Sequence, residues 1–267
     1  MISVETFTNA DQAAGALGPD AIYHGGGTIV MRTLNYGEQN FSRIVRSTDS
    51  ALKRIAIAGD RIEIGAGVTM SEVIASRDLD FLHPVARSVG GPTVRNAATV
   101  GGNLFAEHPY GDFATALLAL DAKVRTSGGS EQDMESFLAG RNSFNGLVTS
   151  LSIVRPQGQD FRYRKVTRIK PKGVSIMSIA AWTPQSAGRV GEARIAFGAM
   201  GATPLRAKEA ERALSDKSLD RSSVEAAMAA LRGDFQPPDD ALASGWYRSE
   251  VAPVHLRRLL LDEEVAR

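Results

Sequence analysis

The most informative segment of this sequence is Ser88-Val-Gly-Gly-Pro-Thr-Val-Arg-Asn-Ala-Ala-Thr-Val-Gly-Gly-Asn-Leu-Phe-Ala-Glu-His-Pro-Tyr-Gly-Asp112. It contains two glycine pairs, several hydroxyl and amide side chains, and an aspartate, Asp112. Glycine pairs suit turns, and they also suit places where the backbone approaches a ligand closely. We therefore expect the N–H groups of Gly101 and Gly102 to meet phosphate oxygens, with side-chain hydrogen bonds from Thr99 and Asn103.

Asp112 stands directly before the helical pattern Phe113-Ala-Thr-Ala-Leu-Leu-Ala-Leu120. Aspartate is a common N-cap, and this position favours that structural interpretation. The functional interpretation is a carboxylate that accepts hydrogen bonds from hydroxyl groups of a ligand. Both interpretations remain open from the sequence.

A second glycine cluster lies earlier, in Tyr23-His-Gly-Gly-Gly-Thr-Ile-Val30, where apolar Ala21 and Ile22 predict a strand that enters a glycine turn. Three residues without Cβ atoms leave successive N–H groups free to face an anion, and Thr28 adds a hydroxyl. This composition is typical of a diphosphate-binding loop. The segment matches neither the Walker A pattern nor G-x-G-x-x-G, so a plain glycine turn is the alternative.

Composition excludes several classes of protein. The 267 residues carry a net charge of +1, which argues against a nucleic-acid-binding protein that works through a general positive field. The absence of cysteine removes disulfides, thiol nucleophiles and cysteine-ligated zinc or iron–sulfur centres. The four histidines lack ligand spacing, so no metal site is predicted. No apolar run is long enough to span a membrane and the first residues lack a secretory signal, so we expect a cytoplasmic protein.

The hydrophobic pattern predicts an α+β protein with a mixed first half, then antiparallel strands followed by helices. Residues 53–66 predict a β-hairpin, and Thr69 and Glu72 predict a capping box before a short helix. A second capping box is predicted at Ser222–Glu225, and Pro253 should kink or divide a final helix over 246–261. Further strands are predicted at 43–46, 123–127, 147–154, 161–168, 174–182 and 189–198.

The 88–120 region resembles the FAD-binding middle subunit of molybdenum hydroxylases, the xanthine dehydrogenase and aerobic carbon monoxide dehydrogenase group. The family pattern reads approximately S-x-G-x-x-x-V-R-N-x-A-T-x-G-G-N-(x)8-D, followed by an Ala/Leu helix. The family loop A-G-G-T-D-L is similar to Gly25-Gly-Gly-Thr-Ile-Val30. The resemblance extends over nearly the whole chain through three further segments, Gly201-Ala-Thr-Pro-Leu-Arg206, Pro238-Asp-Asp240 and Trp246-Tyr-Arg248.

The resemblance implies a two-lobed FAD-binding domain of the vanillyl-alcohol-oxidase (PCMH) type, over residues 1–155 with lobes of about 1–52 and 53–155. A small α+β C-terminal domain with an antiparallel sheet and helices would follow, over 156–267. It also implies that two loops hold the FAD diphosphate. The first glycine loop is Gly25, Gly26, Gly27, Thr28 and Ile29; the second glycine loop contains Thr99, Gly101, Gly102 and Asn103.

Three further cofactor contacts are implied by the resemblance. Asp112 matches the family's acidic contact, and His108 falls where some members place a polar contact to the flavin; an exposed loop histidine is the alternative for His108. Lys165 matches a lysine that approaches the flavin. It belongs to the basic segment 161–172, which carries six basic residues and no acid, and whose other interpretation is a solvated strand face. The family's Asp after this segment is missing, and Gly173 stands in its place.

The implied function is electron transfer in a complex. Molybdenum cofactor would reside on a large partner subunit and 2Fe–2S clusters on a small one, with electrons passing through FAD here to NAD, oxygen, a quinone or a carrier protein. Two alternatives remain. One is a self-contained FAD reductase, like the enzyme that acts on UDP-N-acetylenolpyruvoylglucosamine; the other is a docking scaffold that has lost flavin, which the departures at Ile29 and Gly173 would permit.

Overall fold

The computed structural model describes residues 2–38, 40–169 and 173–263. The chain forms two compact units. The first contains the residues up to Ala106 together with Ala122–Val154, and the second contains Glu107–Asp121 together with the residues from Arg155 onward. The segment 107–121 therefore groups with the second unit, whereas the predicted first domain includes all of 1–155. The predicted domain and lobe boundaries stay a prediction.

The first unit begins with a parallel sheet in the order β1-β3-β2. Val4 and Ile22 both lie opposite Ile44, which is buried in the central strand. Asn9 caps the first helix by accepting hydrogen bonds from the N–H groups of Asp11 and Gln12. The elements are β1 (Ser3–Phe7), α1 (Ala10–Gly15), β2 (Ala21–Tyr23), α2 (Val30–Asn35) and β3 (Arg43–Ser47).

A second, antiparallel sheet of the first unit has the order β4-β5-β8-β6-β7. The predicted hairpin is confirmed: Ile57 pairs with Ile62 across a turn in which Gly59 has a φ of 65°. Alternation then places Ile62 and Ile64 in the core. The strands are β4 (Ile55–Ala58), β5 (Arg61–Gly65), β6 (Lys123–Thr126), β7 (Glu131–Asp133) and β8 (Val148–Val154).

Short helices connect these strands. The predicted capping box is confirmed, because the Thr69 side chain accepts from the N–H of Glu72 and the Glu72 carboxylate accepts from the N–H of Thr69. Thr69 also forms an isolated antiparallel bridge with Thr99. The helices are α3 (Met70–Ala75), α4 (His83–Ser88), α5 (Pro92–Arg95), α6 (Val100–Leu104) and, later in the chain, α8 (Met134–Gly140).

The second unit is built on an antiparallel sheet in the order β14-β13-β10-β9. A small hairpin, β11-β12, lies between β10 and β13 along the chain. The single strand predicted over 189–198 is wrong. It divides because the Gly191 N–H bonds to the carbonyl of Pro184, which ends the hairpin before β13 begins. The strands are β9 (Phe161–Thr167), β10 (Ser175–Trp182), β11 (Gln185–Ser186), β12 (Arg189–Val190), β13 (Arg194–Gly198) and β14 (Leu205–Arg206).

Helices cover both faces of this sheet. Ser178 contacts α7 through Thr115, whereas its neighbour Ile179 belongs to the apolar core with α9, α10 and α11. Successive residues of a strand point to opposite faces, so α7 lies on one side and the other three helices lie on the second side. The helices are α7 (Asp112–Ala119), α9 (Lys208–Leu214), α10 (Arg221–Ala230) and α11 (Gly245–Leu260).

Two local predictions in the second unit need correction. The capping box at Ser222 is wrong, because Asp220 caps α10 and Ser223 completes the box. Of the two effects predicted for Pro253, division is wrong, because α11 continues through Pro253 as one element, whereas a kink stays a prediction. At the start of α11, Trp246 and Tyr247 are exposed, with exposed fractions of 73% and 40%.

Candidate functional site

The first glycine loop carries a row of backbone donors without acceptors. Strand β2 ends at Tyr23, and the His24 N–H still pairs with the carbonyl of Val45 at 2.8 Å. Among the described residues, no hydrogen bond uses the N–H groups from Gly25 to Ile29. Main-chain donors require a partner, so these five N–H groups are open to water or to an anionic ligand.

The segment before the second glycine loop lies directly against the first loop. A Cβ on Gly26 would lie 1.6 Å from the carbonyl oxygen of Ala97, and a Cβ on Gly25 would lie 3.1 Å from Oγ1 of Thr99. Only glycine permits this approach at position 26, because a side chain there would overlap backbone atoms. The two segments that the sequence analysis selected are therefore brought together within the first unit.

The backbone donors of the second glycine loop are used within the protein. The N–H of Gly101 bonds to the carbonyl of Ala66 at 2.8 Å, and that of Gly102 bonds to Thr99 Oγ1 at 3.1 Å. The N–H of Asn103 bonds to the Thr99 carbonyl. This differs from the expectation that the Gly101 and Gly102 N–H groups face phosphate. A Cβ on Gly101 would lie 2.7 Å from Cβ of Ala66, which gives that glycine a packing role.

Tyr23, the last residue of β2, lies next to the first glycine loop. A Cβ on Gly25 would lie 3.7 Å from Cε1 of this ring. Burial, followed by the negative charge of Asp49, raises the pKa of Tyr23. The phenol therefore keeps its proton at neutral pH.

In the second unit, Asp112 is held by two side chains. Lys165 Nζ lies 2.8 Å from Oδ2 of Asp112, and the Ser175 hydroxyl donates to Oδ1 at 2.7 Å. The N-cap interpretation is wrong, because Gly111, with a φ of 97°, occupies that position and Asp112 is the first helical residue. The carboxylate points to β9 and β10 instead, where it neutralises the one lysine of β9.

His108 belongs to a different network. Its Nε2 lies 2.6 Å from Oδ2 of Asp240, and its Nδ1 lies 3.2 Å from the carbonyl of Gly201. The fully buried Arg248 also donates to Oδ2 of Asp240 at 2.7 Å. The exposed-loop alternative for His108 is wrong, since only 20% of its side chain is accessible.

The charge of Asp240 is strongly stabilised. Burial alone raises the pKa of Asp240, but hydrogen bonds from His108, the N–H groups of Ala243 and Leu242, and Arg248 outweigh it and hold the pKa well below the ordinary value. Asp240 and Arg248 belong to segments that match the family, but the sequence assigns them no role. His108 lies 132 residues from Asp240 along the chain, so spacing alone gave no signal for the network.

The basic segment is only partly a solvated face. Arg164 donates to the carbonyls of Arg258 and Glu263, at 3.3 Å each, which satisfies acceptors at the end of α11. Gly173 is explained by close packing, because a Cβ there would lie 2.4 Å from the Ile169 carbonyl. Lys170, Pro171 and Lys172 of the predicted segment lie outside the described residues.

The described ranges contain no group of three or more His, Cys, Asp or Glu side chains arranged to hold a metal ion. None of their helices combines the length and the apolar character that crossing a membrane requires.

Comparison with known proteins identifies the family. Residues 2–153 match the family of FAD-binding domains in molybdopterin dehydrogenase, and residues 162–262 match the carbon monoxide dehydrogenase flavoprotein C-terminal domain. The chain therefore belongs to the FAD-binding medium subunits of the molybdenum hydroxylase family. The resemblance inferred from the sequence is confirmed, and so is the predicted fold class.

Individual relatives cover most of the chain. It is 27% identical to the putative xanthine dehydrogenase FAD-binding subunit XdhB of Escherichia coli K12 over 263 residues, 93% of this chain and 88% of that protein. It is 27% identical over 192 residues to the glyceraldehyde dehydrogenase medium chain of Sulfolobus acidocaldarius, 69% of this chain and 68% of that protein.

A solved structure shows the same fold. A chain of carbon monoxide dehydrogenase from Hydrogenophaga pseudoflava superposes with a TM-score of 0.88 at 22% identity, over 97% of this chain and 96% of that one. At that identity the likeness concerns the fold. The chain is thus similar to these proteins over both of its family regions.

Proposed function

We propose that this chain is the FAD-binding electron-transfer subunit of a molybdenum hydroxylase complex. It would receive electrons from 2Fe–2S clusters on a small partner subunit and pass them through FAD to an external acceptor. Substrate would be oxidised at a molybdenum cofactor on a large partner subunit. The chain has no cysteine, so cysteine-ligated clusters must be provided by another chain. The cytoplasmic location expected from the sequence stays a prediction.

The observation that carries the proposal is the row of N–H groups from Gly25 to Ile29, which have no acceptor in the part of the chain that the structure describes. A diphosphate presents several anionic oxygens, and consecutive backbone N–H groups bind such oxygens without any charged side chain. The close approach of Gly26 to the Ala97 carbonyl, which a Cβ would prevent, holds the loop in this conformation. The first glycine loop therefore fits the diphosphate of FAD.

The other predicted contacts have more limited roles in this proposal. In the second glycine loop, Gly101, Gly102 and Asn103 shape and support the site, since their backbone donors already have acceptors within the protein, and the Thr99 hydroxyl is one of those acceptors. Asp112, Lys165 and His108 remain proposed cofactor contacts. Because Lys165 is paired with Asp112, we expect the pair to present a dipole to the cofactor rather than a full positive charge.

When bound, FAD supplies the redox chemistry, and this chain's residues bind and orient it. The names of the relatives support the proposal that this chain works with partner subunits, because those names denote a subunit of xanthine dehydrogenase and medium chains of other dehydrogenases. The self-contained reductase is disfavoured, since the match to the flavoprotein C-terminal domain covers most of the second unit. The docking scaffold without flavin is the alternative that an experiment must exclude.

The test is an absorption spectrum of the purified chain, with and without added FAD, followed by chromatography of the released cofactor. We expect flavin bands from the wild-type chain and from Gly15→Ala, because a Cβ at Gly15 meets no atom within 4 Å. Gly26→Val should lose them, since its side chain would overlap the Ala97 carbonyl. A wild-type chain that binds no FAD even with its partner subunits present would refute the proposal in favour of the scaffold.

A further inference from the structure

His24 stands next to the first glycine loop and its ring lies over the middle of that loop. A Cβ on Gly27 would lie 2.2 Å from His24 Nε2 and 3.0 Å from Cδ2 and Cε1 of the same ring. Gly27 has a φ of 72° and is buried, so both its conformation and the overlying ring require glycine. His24 Nε2 is therefore placed beside the central residue of the five open N–H groups.

The two ring nitrogens of His24 have different surroundings. Nδ1 is buried and has no hydrogen-bond partner among the described residues, and none of these residues bonds to Nε2. A proton on Nδ1 would leave a buried donor without an acceptor, which is costly. The favoured neutral form carries its proton on Nε2, the nitrogen that lies against the loop.

We infer that His24 is a further diphosphate-binding residue, whose Nε2–H donates to a phosphate oxygen of the cofactor alongside the backbone donors. The inference rests on the proposed binding of FAD by the first glycine loop. The segment Gly25-Gly-Gly-Thr-Ile-Val30 contains no charged or amide side chain, so His24 supplies the nitrogen donor that the loop itself lacks. Together, His24 and the first glycine loop would form an anion-binding site for the diphosphate of a dinucleotide.

Three substitutions at position 24 separate the contribution of each nitrogen. The amide nitrogen of Gln extends to about the position of Nε2, whereas that of Asn extends to about the position of Nδ1, and Leu removes both donors. We expect His24→Leu and His24→Asn to weaken FAD binding by the full chain about 10- to 100-fold, the usual effect of losing a hydrogen bond to a charged group. His24→Gln should retain most of the affinity.

The binding measurement uses flavin fluorescence, and competition with ADP tests the diphosphate directly. ADP carries the diphosphate without the flavin, so its inhibition constant should rise in parallel with the dissociation constant of FAD. His83→Gln is the matched control, because His83 Nε2 is already engaged at 2.9 Å from the Ser76 carbonyl. Its affinity for FAD should equal that of the wild type.

A spectroscopic measurement distinguishes donation from packing. In imidazole ¹H–¹⁵N correlation spectra, assigned by the signals lost in His24→Gln, we expect the Nε2–H tautomer and a shift of Nε2 when ADP is added. Equal FAD affinity for the wild type and His24→Leu would overturn the inference. So would equal weakening by all three substitutions together with a lowered melting temperature, which would indicate packing. Failure of the wild type itself to bind FAD would instead refute the proposed function.

Discussion

Lys165 Nζ lies 2.8 Å from Oδ2 of Asp112, and the two side chains are only 17% and 9% exposed. The ion pair joins the first residue of α7 to the edge strand β9, and Ser175 on β10 completes it. Buried charges are tolerated when they are paired and hydrogen-bonded, as both are here. The ion pair thus fixes the orientation of Asp112 and Lys165, and the family resemblance implies a cofactor contact for each of them.

Lys165→Met should therefore lower the free energy of unfolding by about 3 kcal/mol, because it leaves the buried Asp112 carboxylate without its counter-charge. The double variant with Asp112→Asn should recover much of that loss, since no charge then remains buried. Urea denaturation of both variants measures the difference. If the single and double variants were equally stable, the pair would have no energetic coupling.

Arg164 and Arg168 should behave differently although they belong to the same basic segment. Arg164→Ala removes the donor to the Arg258 and Glu263 carbonyls, so we expect a loss of about 1–3 kcal/mol in the free energy of unfolding. Arg168 is exposed, and Arg168→Ala should change stability by less than about 0.5 kcal/mol. Arg168 is consequently the cleaner position for testing whether this segment docks a partner subunit. Thermal and urea unfolding would check both expectations.

His255 makes stability depend on pH. Burial, followed by the positive charges of Arg258 and Arg164, lowers the pKa of His255 from 6.5 to about 4. The unfolded chain therefore binds a proton that the folded chain does not, and stability falls as the pH drops from about 6.5 toward 4. His255→Leu should flatten the stability profile in this range. At pH 8 His255 is neutral in both states, so the difference in the free energy of unfolding between the variant and the wild type there provides the reference. An unchanged slope of stability with pH in His255→Leu would contradict the prediction.

Asp240 should control stability at lower pH. Its pKa lies below the unfolded value of 3.8, so the stabilisation is present above that value and is lost as the pH falls below it. Asp240→Asn should lower stability at pH 7 and remove part of the acid dependence below about pH 4. Asp60→Asn, in the exposed turn between β4 and β5, is the control. Acid titrations followed by circular dichroism measure how stability depends on pH. If Asp240→Asn lost stability with falling pH as steeply as the wild type does, the prediction would be contradicted.

Sequence patterns predicted the elements whose structure depends mainly on residues close to one another in the sequence. The hairpin around Gly59-Asp60 and the capping box of Thr69 and Glu72 need only alternation and a cap, and both are confirmed. The cap of α10 was misplaced by two residues because Asp220, Ser222 and Ser223 are all competent caps. Which of them begins the helix depends on the path of the preceding loop.

The candidate site divides in the same way. The first glycine loop was found from composition, because consecutive residues without Cβ atoms can present successive N–H groups to an anion. The hydrogen bonds of Gly101 to Ala66 and of Asp112 to Lys165 and Ser175 could not be found, since their partners are far away in sequence. The orientation of His24 over Gly27 likewise appears only in three dimensions.

Motif spacing, hydrophobic period and residue type are local properties of a chain, and they were enough to identify the family, the α+β class and the two glycine segments. Which donors stay open and which charges are paired depends on how the chain folds. Among the described residues, folding left the N–H groups of the first loop without acceptors, paired those of Gly101, Gly102 and Asn103, and joined His108 to Asp240. The physical reason is that a hydrogen bond or an ion pair depends on distance and burial, and folding sets both between residues that the sequence holds apart.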